Sequence, residues 1–103
     1  MSRSSTTTRP LHRIRPHPGE ILREECLVAI GMSARQLADI LGVPPNRISE
    51  IVREKRSVSA DTAIRLSRHF GTTAQFWLNL QTAHDLSKAE ATTDYSSIPK
   101  RAA

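Results

Sequence analysis

The sequence predicts an all-α domain of five short helices, and three observations predict it. Apolar residues recur at the three- and four-residue spacing of a helix face in five successive stretches. Glycines at 31, 42 and 71 close three of those stretches, and Ser33, Ser59 and Thr73 stand ready to cap the next ones. No run alternates apolar and polar residues for long enough to build a sheet.

The elements follow in order. Pro18 opens the first helix, because its fixed φ suits a first turn and its missing N–H costs nothing there. Ile21, Leu22, Cys26, Ala29 and Ile30 recur along it at helical spacing, and Gly31 stops it. Ser33 with Gln36 three residues on forms a capping box for the second helix, whose apolar stripe is Ala34, Leu37, Ala38 and Leu41. Gly42 ends that helix. Pro44 and Pro45 are tolerated together only before or within a first turn, so a third helix is expected from Pro45 to Glu54, with Ile48, Ile51 and Val52 facing in. Ser59 caps a fourth helix carrying Ala60, Ala63, Ile64, Ser67 and Phe70 on one face, and Gly71 ends it. Thr73 caps a fifth, with Phe76, Trp77, Leu80, Ala83 and His84 on one face, fading near Ala91.

The 103 residues suit one domain, and 38% hydrophobic content supports a small core. The expected organisation is a mobile basic arm over 1–16, a folded domain over 17–91 and a polar tail over 92–103. The arm holds too few aliphatics to order itself. No apolar stretch approaches 18 residues, so no membrane partner is expected, and nothing after the arm reads as a signal peptide. The expected location is the cytoplasm, at the nucleoid. Cys26 has no second cysteine to pair with and sits in the apolar run CLVAI, so it reads as a packed thiol.

The net charge of +5 is unevenly spread. Arg3, Arg9, Arg13 and Arg15 stand in residues 1–17 without an acid, whereas residues 18–90 hold nine basic and nine acidic side chains. The high pI is therefore a poor argument for nucleic-acid binding by the folded part.

The steric pattern is a better one. A helix-turn-helix needs two short helices locked at a steep angle by a tight turn. Ala38 supplies the small residue where the helices touch, Gly42 the turn four residues on, and Ile48 and Ile51 the anchors ten and thirteen residues after the alanine. Leu37, Leu41 and Val43 complete the contacts. Residues 33–56 are thus expected to bind double-stranded DNA. The exposed N-terminal half of the third helix would then enter the major groove with Pro45, Asn46, Arg47, Ser49 and Glu50. Asn46 suits adenine, Arg47 suits guanine, and Ser49 suits a base or a phosphate. Glu50 either accepts from a cytosine amino group or pairs with Arg47 or Arg53 at helical spacing, the second reading being favoured. Arg35, Arg53, Lys55 and Arg56 are placed to reach phosphates.

One such helix covers few base pairs, so a homodimer is expected. Phe76, Trp77 and Leu80 are candidates for its surface or for the core. Enzymatic chemistry finds no support. His12, His17, His69 and His84 lack metal-ligand spacing, no glycine-rich phosphate loop is present, and neither metal nor cofactor is expected.

The stretches HPGEILREE (17–25), LADILGVPPNRISEIVREKRSVSADTAIRLSRHFGT (37–72) and AQFWLNLQTAHDL (74–86) resemble HigA-type antitoxins of the Xre helix-turn-helix superfamily. The resemblance implies a five-helix, lambda-repressor-like fold. It also implies operator DNA, a HigB-like mRNA endonuclease toxin and a second copy of the chain as partners. Asn46, Arg47, Ser49 and Glu50 fall on that family's recognition-helix positions. The arm would serve toxin contact, phosphate contact or neither. A free-standing regulator of the same fold is the alternative, which the neighbouring open reading frame would separate.

Overall fold

The computed structural model describes residues 13–102, and all regular structure among them is helical. The first helical rod, α1 (residues 18–30), has three parts. Pro18–Ile21 is α-helical, Leu22–Leu27 is a π-helix, and Val28–Ile30 returns to α. It is followed by α2 (Ala34–Leu41), α3 (Pro45–Val52), α4 (Ala60–Phe70) and α5 (Ala74–Thr92).

His17 caps α1 through its ring, Nδ1 accepting from the Gly19 N–H at 2.8 Å. The π turn has a packing consequence. The Val28 N–H bonds back five residues to the Arg23 carbonyl. Leu22 and Leu27, five apart, are both buried, although an α-helix would turn them about 140° from each other. The stripe expected from α spacing is overturned beyond that point: Ala29 and Ile30 are exposed, and Leu27 is the residue that packs. The widened turn advances the register by about one residue.

The Ser33–Gln36 box closes reciprocally at 3.1 and 2.8 Å. At the far end of α2, Gly42 lies in the left-handed region at φ 73°. The Val43 N–H reaches the Ala38 carbonyl at 3.1 Å and the Gly42 N–H that of Asp39 at 3.3 Å, the double bond of a Schellman cap. The apolar contact of that cap is also present, since Val43 and Ala38 are both buried.

α3 stops at Val52, two residues before the expected Glu54. Its end repeats the same cap with a different residue. Lys55 bonds to the Glu50 carbonyl at 2.8 Å, Glu54 bonds to that of Ile51 at 2.9 Å, and Glu54 takes φ 62°. No glycine marks this stop.

α4 buries Thr62, Ala63 and Leu66, with Phe70 half-covered, whereas Ile64 of the expected stripe is 52% exposed. On α5 the buried side chains are Trp77 and Gln81. Trp77 is core, Leu80 packs against the core half-covered, and Phe76 is a surface residue. Gln81 is satisfied, its Oε1 accepting from the Val58 N–H at 2.8 Å.

The core runs between all five helices through Leu22, Leu37, Ile48, Ile51, Leu66 and Trp77. α2 packs on α3, α4 packs on α5, and the start of α1 touches both α3 and α5. That last contact is close: a Cβ on Gly19 would lie 1.8 Å from the Ile51 carbonyl oxygen. Residues 1–12 of the expected arm lie outside the described residues. Arg15, still within the expected arm, is fastened to α5. Its N–H donates to Ser87 Oγ at 2.8 Å, and its carbonyl accepts from His84 Nδ1 at 2.8 Å.

Candidate nucleic-acid interface

The helix-turn-helix is assembled by the four residues that its sterics demand. Ala38, Ile48 and Ile51 are fully buried, and Gly42 makes the left-handed turn between the helices. With those positions inward, α3 turns its opposite side out. Pro45 and Asn46 are exposed, and Arg47, Ser49 and Glu50 are half-exposed. These are the five residues expected to read bases, and the fold brings them onto one outer edge.

Their side chains are not equally free. Arg47 Nη1 bonds to Asp61 Oδ2 at 2.7 Å. Asp61 stands in the first turn of α4 and also accepts from Arg65 Nε at 3.0 Å through the same oxygen. Hydrogen bonds from Arg65 first and Arg47 second hold the Asp61 carboxyl below its ordinary range. Ser49 donates its hydroxyl back to the Asn46 carbonyl at 3.3 Å, so toward a ligand it presents lone pairs.

Glu50 is ion-paired, but not with either expected partner. Its Oε1 accepts from Arg56 at 2.7–2.8 Å, six residues on in sequence. The left-handed Glu54 folds the chain back after α3 and delivers Arg56 to this position. Arg47 is taken by Asp61 instead, and Arg53 makes no ion pair among the described residues. Arg35, Arg53 and Lys55 are exposed cations at the two ends of the motif.

Two arginines that sequence reasoning passed over hold the motif together. Arg65 Nη1 donates to the Leu41 carbonyl at 2.7 Å, which caps α2. Arg23 Nη1 donates to the Val52 carbonyl, which caps α3, and its Nη2 lies 3.5 Å from Glu54. Only the Arg65–Asp61 spacing of four carried any local signal. Arg23 acts across 29 residues of sequence and had none.

His17 and His84 also meet, edge to face at 4.9 Å. Burial first and the His84 charge second hold the His17 imidazole below its ordinary value of 6.5. The pair has no third ligand: no group of three His, Cys, Asp or Glu able to hold a metal exists among the described residues. Cys26 is half-buried against the core, and burial pushes its thiol up. No helix among the described residues is long and apolar enough to cross a membrane.

Residues 22–77 match the family described as Helix-turn-helix. Virulence-associated protein I of Dichelobacter nodosus is 64% identical over 74 residues, which span 72% of this chain and 68% of that protein. Among solved structures, the antitoxin GraA in complex with its operator is 47% identical with a TM-score of 0.82, covering 88% of this chain and 95% of GraA. Pseudomonas aeruginosa antitoxin HigA with the higBA promoter is 51% identical with a TM-score of 0.73, covering 74% of this chain and 83% of that one.

Proposed function

The chain belongs to the HigA-type antitoxins of the Xre helix-turn-helix superfamily, and from that membership we propose that it represses its own operon and neutralises a HigB-like mRNA endonuclease. The observation that carries the DNA half is the outer edge of α3. Asn46 and Arg47 stand within its first turn, and buried Ile48 and Ile51 fix the helix beneath them. Two solved relatives of the same fold are bound to an operator and to a promoter, respectively.

The chemistry assigns each group a task. Asn46 pairs with adenine N6 and N7, and Arg47 pairs with guanine O6 and N7. Arg35, Arg53 and Lys55 take phosphates, which set register without reading sequence. At the N-terminus of α2 the cap uses the N–H groups of Ser33 and Gln36, which leaves those of Ala34 and Arg35 for a phosphate oxygen. A two-fold dimer places the second α3 about 34 Å away, one turn along the duplex. On α5, Phe76 and Leu86 are exposed apolar groups available to join the copies. The protein acts in the cytoplasm, at the nucleoid.

Band-shift titration of the DNA upstream of its own gene tests the reading. Arg47→Ala is expected to cost about 1–3 kcal/mol and to relax preference at one base pair. A uniform loss across all sequences would make Arg47 a phosphate contact instead. The toxin half is tested by co-purification with the product of the neighbouring gene and by rescue of growth. No complex and no rescue would leave a free-standing regulator.

A further inference from the structure

Arg47 does not wait for DNA as a loose side chain. Its Nη1 is held 2.7 Å from Asp61 Oδ2, and its side chain is only 30% exposed. Asp61 is itself fixed by Arg65, whose other nitrogen is anchored on the carbonyl that ends α2. The chain of contacts therefore runs from the framework of the motif to the tip of its reading residue. A guanidinium has five N–H donors, and one bond to Asp61 leaves four for a ligand. An arginine fixed in this way loses less side-chain freedom on meeting a base than a free one does.

A carboxylate here has an opposite cost. Asp61 is 56% exposed beside residues that face DNA, where phosphates repel it. If it served general attraction it would be the wrong residue. We infer that Asp61 is a specificity-positioning residue: it touches no base, aims Arg47 at one guanine, and weakens binding to all other DNA. This inference rests on the operator-binding reading above.

The two effects of Asp61 have opposite signs, which makes the test sharp. The probe is a pool of duplexes randomised over about two helical turns, with selected sequences counted after one round of binding. A second measurement is affinity for a duplex of unrelated sequence. For Asp61→Asn we expect about tenfold less guanine preference at the one position that Arg47→Ala also flattens, with other positions unchanged. Affinity for the unrelated duplex should rise. Asp61→Glu should restore most of the preference. If Asp61→Asn does not fold, Asp61→Ser, which suits a helix N-terminus, is read the same way.

Loss of both preference and general affinity would make Asp61 merely structural and overturn the inference. A gain in both would make it a competitor that sequesters Arg47, and would also overturn it. A wild-type protein that selects no motif would overturn the operator reading itself, whereas a wild-type motif untouched by Asp61→Asn would overturn only the role of Asp61.

Discussion

Glu54 carries the most strained backbone in the described chain. At φ 62° it is the one non-glycine residue there in the left-handed region, a position that costs an L-residue about 1–2 kcal/mol. Arg23 answers part of that cost by bonding the Val52 carbonyl and approaching the Glu54 carboxylate. The pair with Glu54 is well exposed at 38% and contributes little. Glu54→Gly should therefore stabilise the fold by about 0.5–1 kcal/mol in urea denaturation. A destabilised variant would mean that the ion pair outweighs the strain. The same residue explains a misplaced boundary. Where glycine stands at the turn, as at 31, 42 and 71, the sequence announces the stop, and where glutamate does the same work it does not. Glu50 follows from this. Its partner Arg56 comes within reach only after the chain has folded back, so a search limited to helical spacing selects the wrong arginine.

At the scale of elements, helix starts were legible and helix faces less so. Ser33, Ser59 and Thr73 each accept from the N–H three residues on, because that bond is wholly local. Ala38, Gly42, Ile48 and Ile51 were legible because the helix-turn-helix is a contact between neighbours in sequence. The stripe of α1 was not, since a π turn leaves no mark in composition. Ile64 was assigned inward by type and spacing, while Thr62 holds a fully buried place on α4. The contact of α1 with α3 was equally hidden, because it depends on what Gly19 lacks. Its missing Cβ admits the Ile51 carbonyl, which belongs to the recognition helix. The obstruction is backbone, so Gly19→Ala must push the two helices apart. We expect a loss of about 3 kcal/mol in urea denaturation and weaker operator binding. Unchanged stability would show that α1 can shift freely.

For the molecule as a whole, the neutral balance of residues 18–90 takes on a spatial meaning. Arg47, Arg56 and Arg65 are matched by Asp61 and Glu50, while Arg35, Arg53 and Lys55 remain unmatched among the described residues. Around the helix-turn-helix, charge is thus divided between ion pairs that orient side chains and single cations, which are the ones proposed to meet phosphate. The His17–His84 contact ties α1, α5 and the residues before α1 together, and the burial of His17, with the His84 charge second, gives the fold a pH dependence. His17 binds its proton less readily when folded than when unfolded, so the unfolded chain holds more protons below about 6.5. Stability is fully present above that pH and is lost as pH falls through 6.5 toward the folded value. Protonation also puts a hydrogen on the nitrogen that caps Gly19. Urea midpoints at pH 7.5 and 5.5 should differ in the native chain, and His17→Asn, which caps without titrating, should narrow the difference. An equal difference in both proteins would assign the effect elsewhere.

The π turn in α1 is, in backbone terms, one amino acid more than a plain helix of that length requires. Glu24 and Glu25 lie within it and are exposed. Removing one of them leaves Leu22 and Leu27 four apart, on the same face of an ordinary helix. The gene is consequently expected to accept the loss of a single codon here, and the shortened product to melt cooperatively. The same deletion within α3 would rotate the side chains proposed to read bases off their shared outer edge. Length is thus a tolerant variable in the helix that supports the reader and a fixed one in the reader itself.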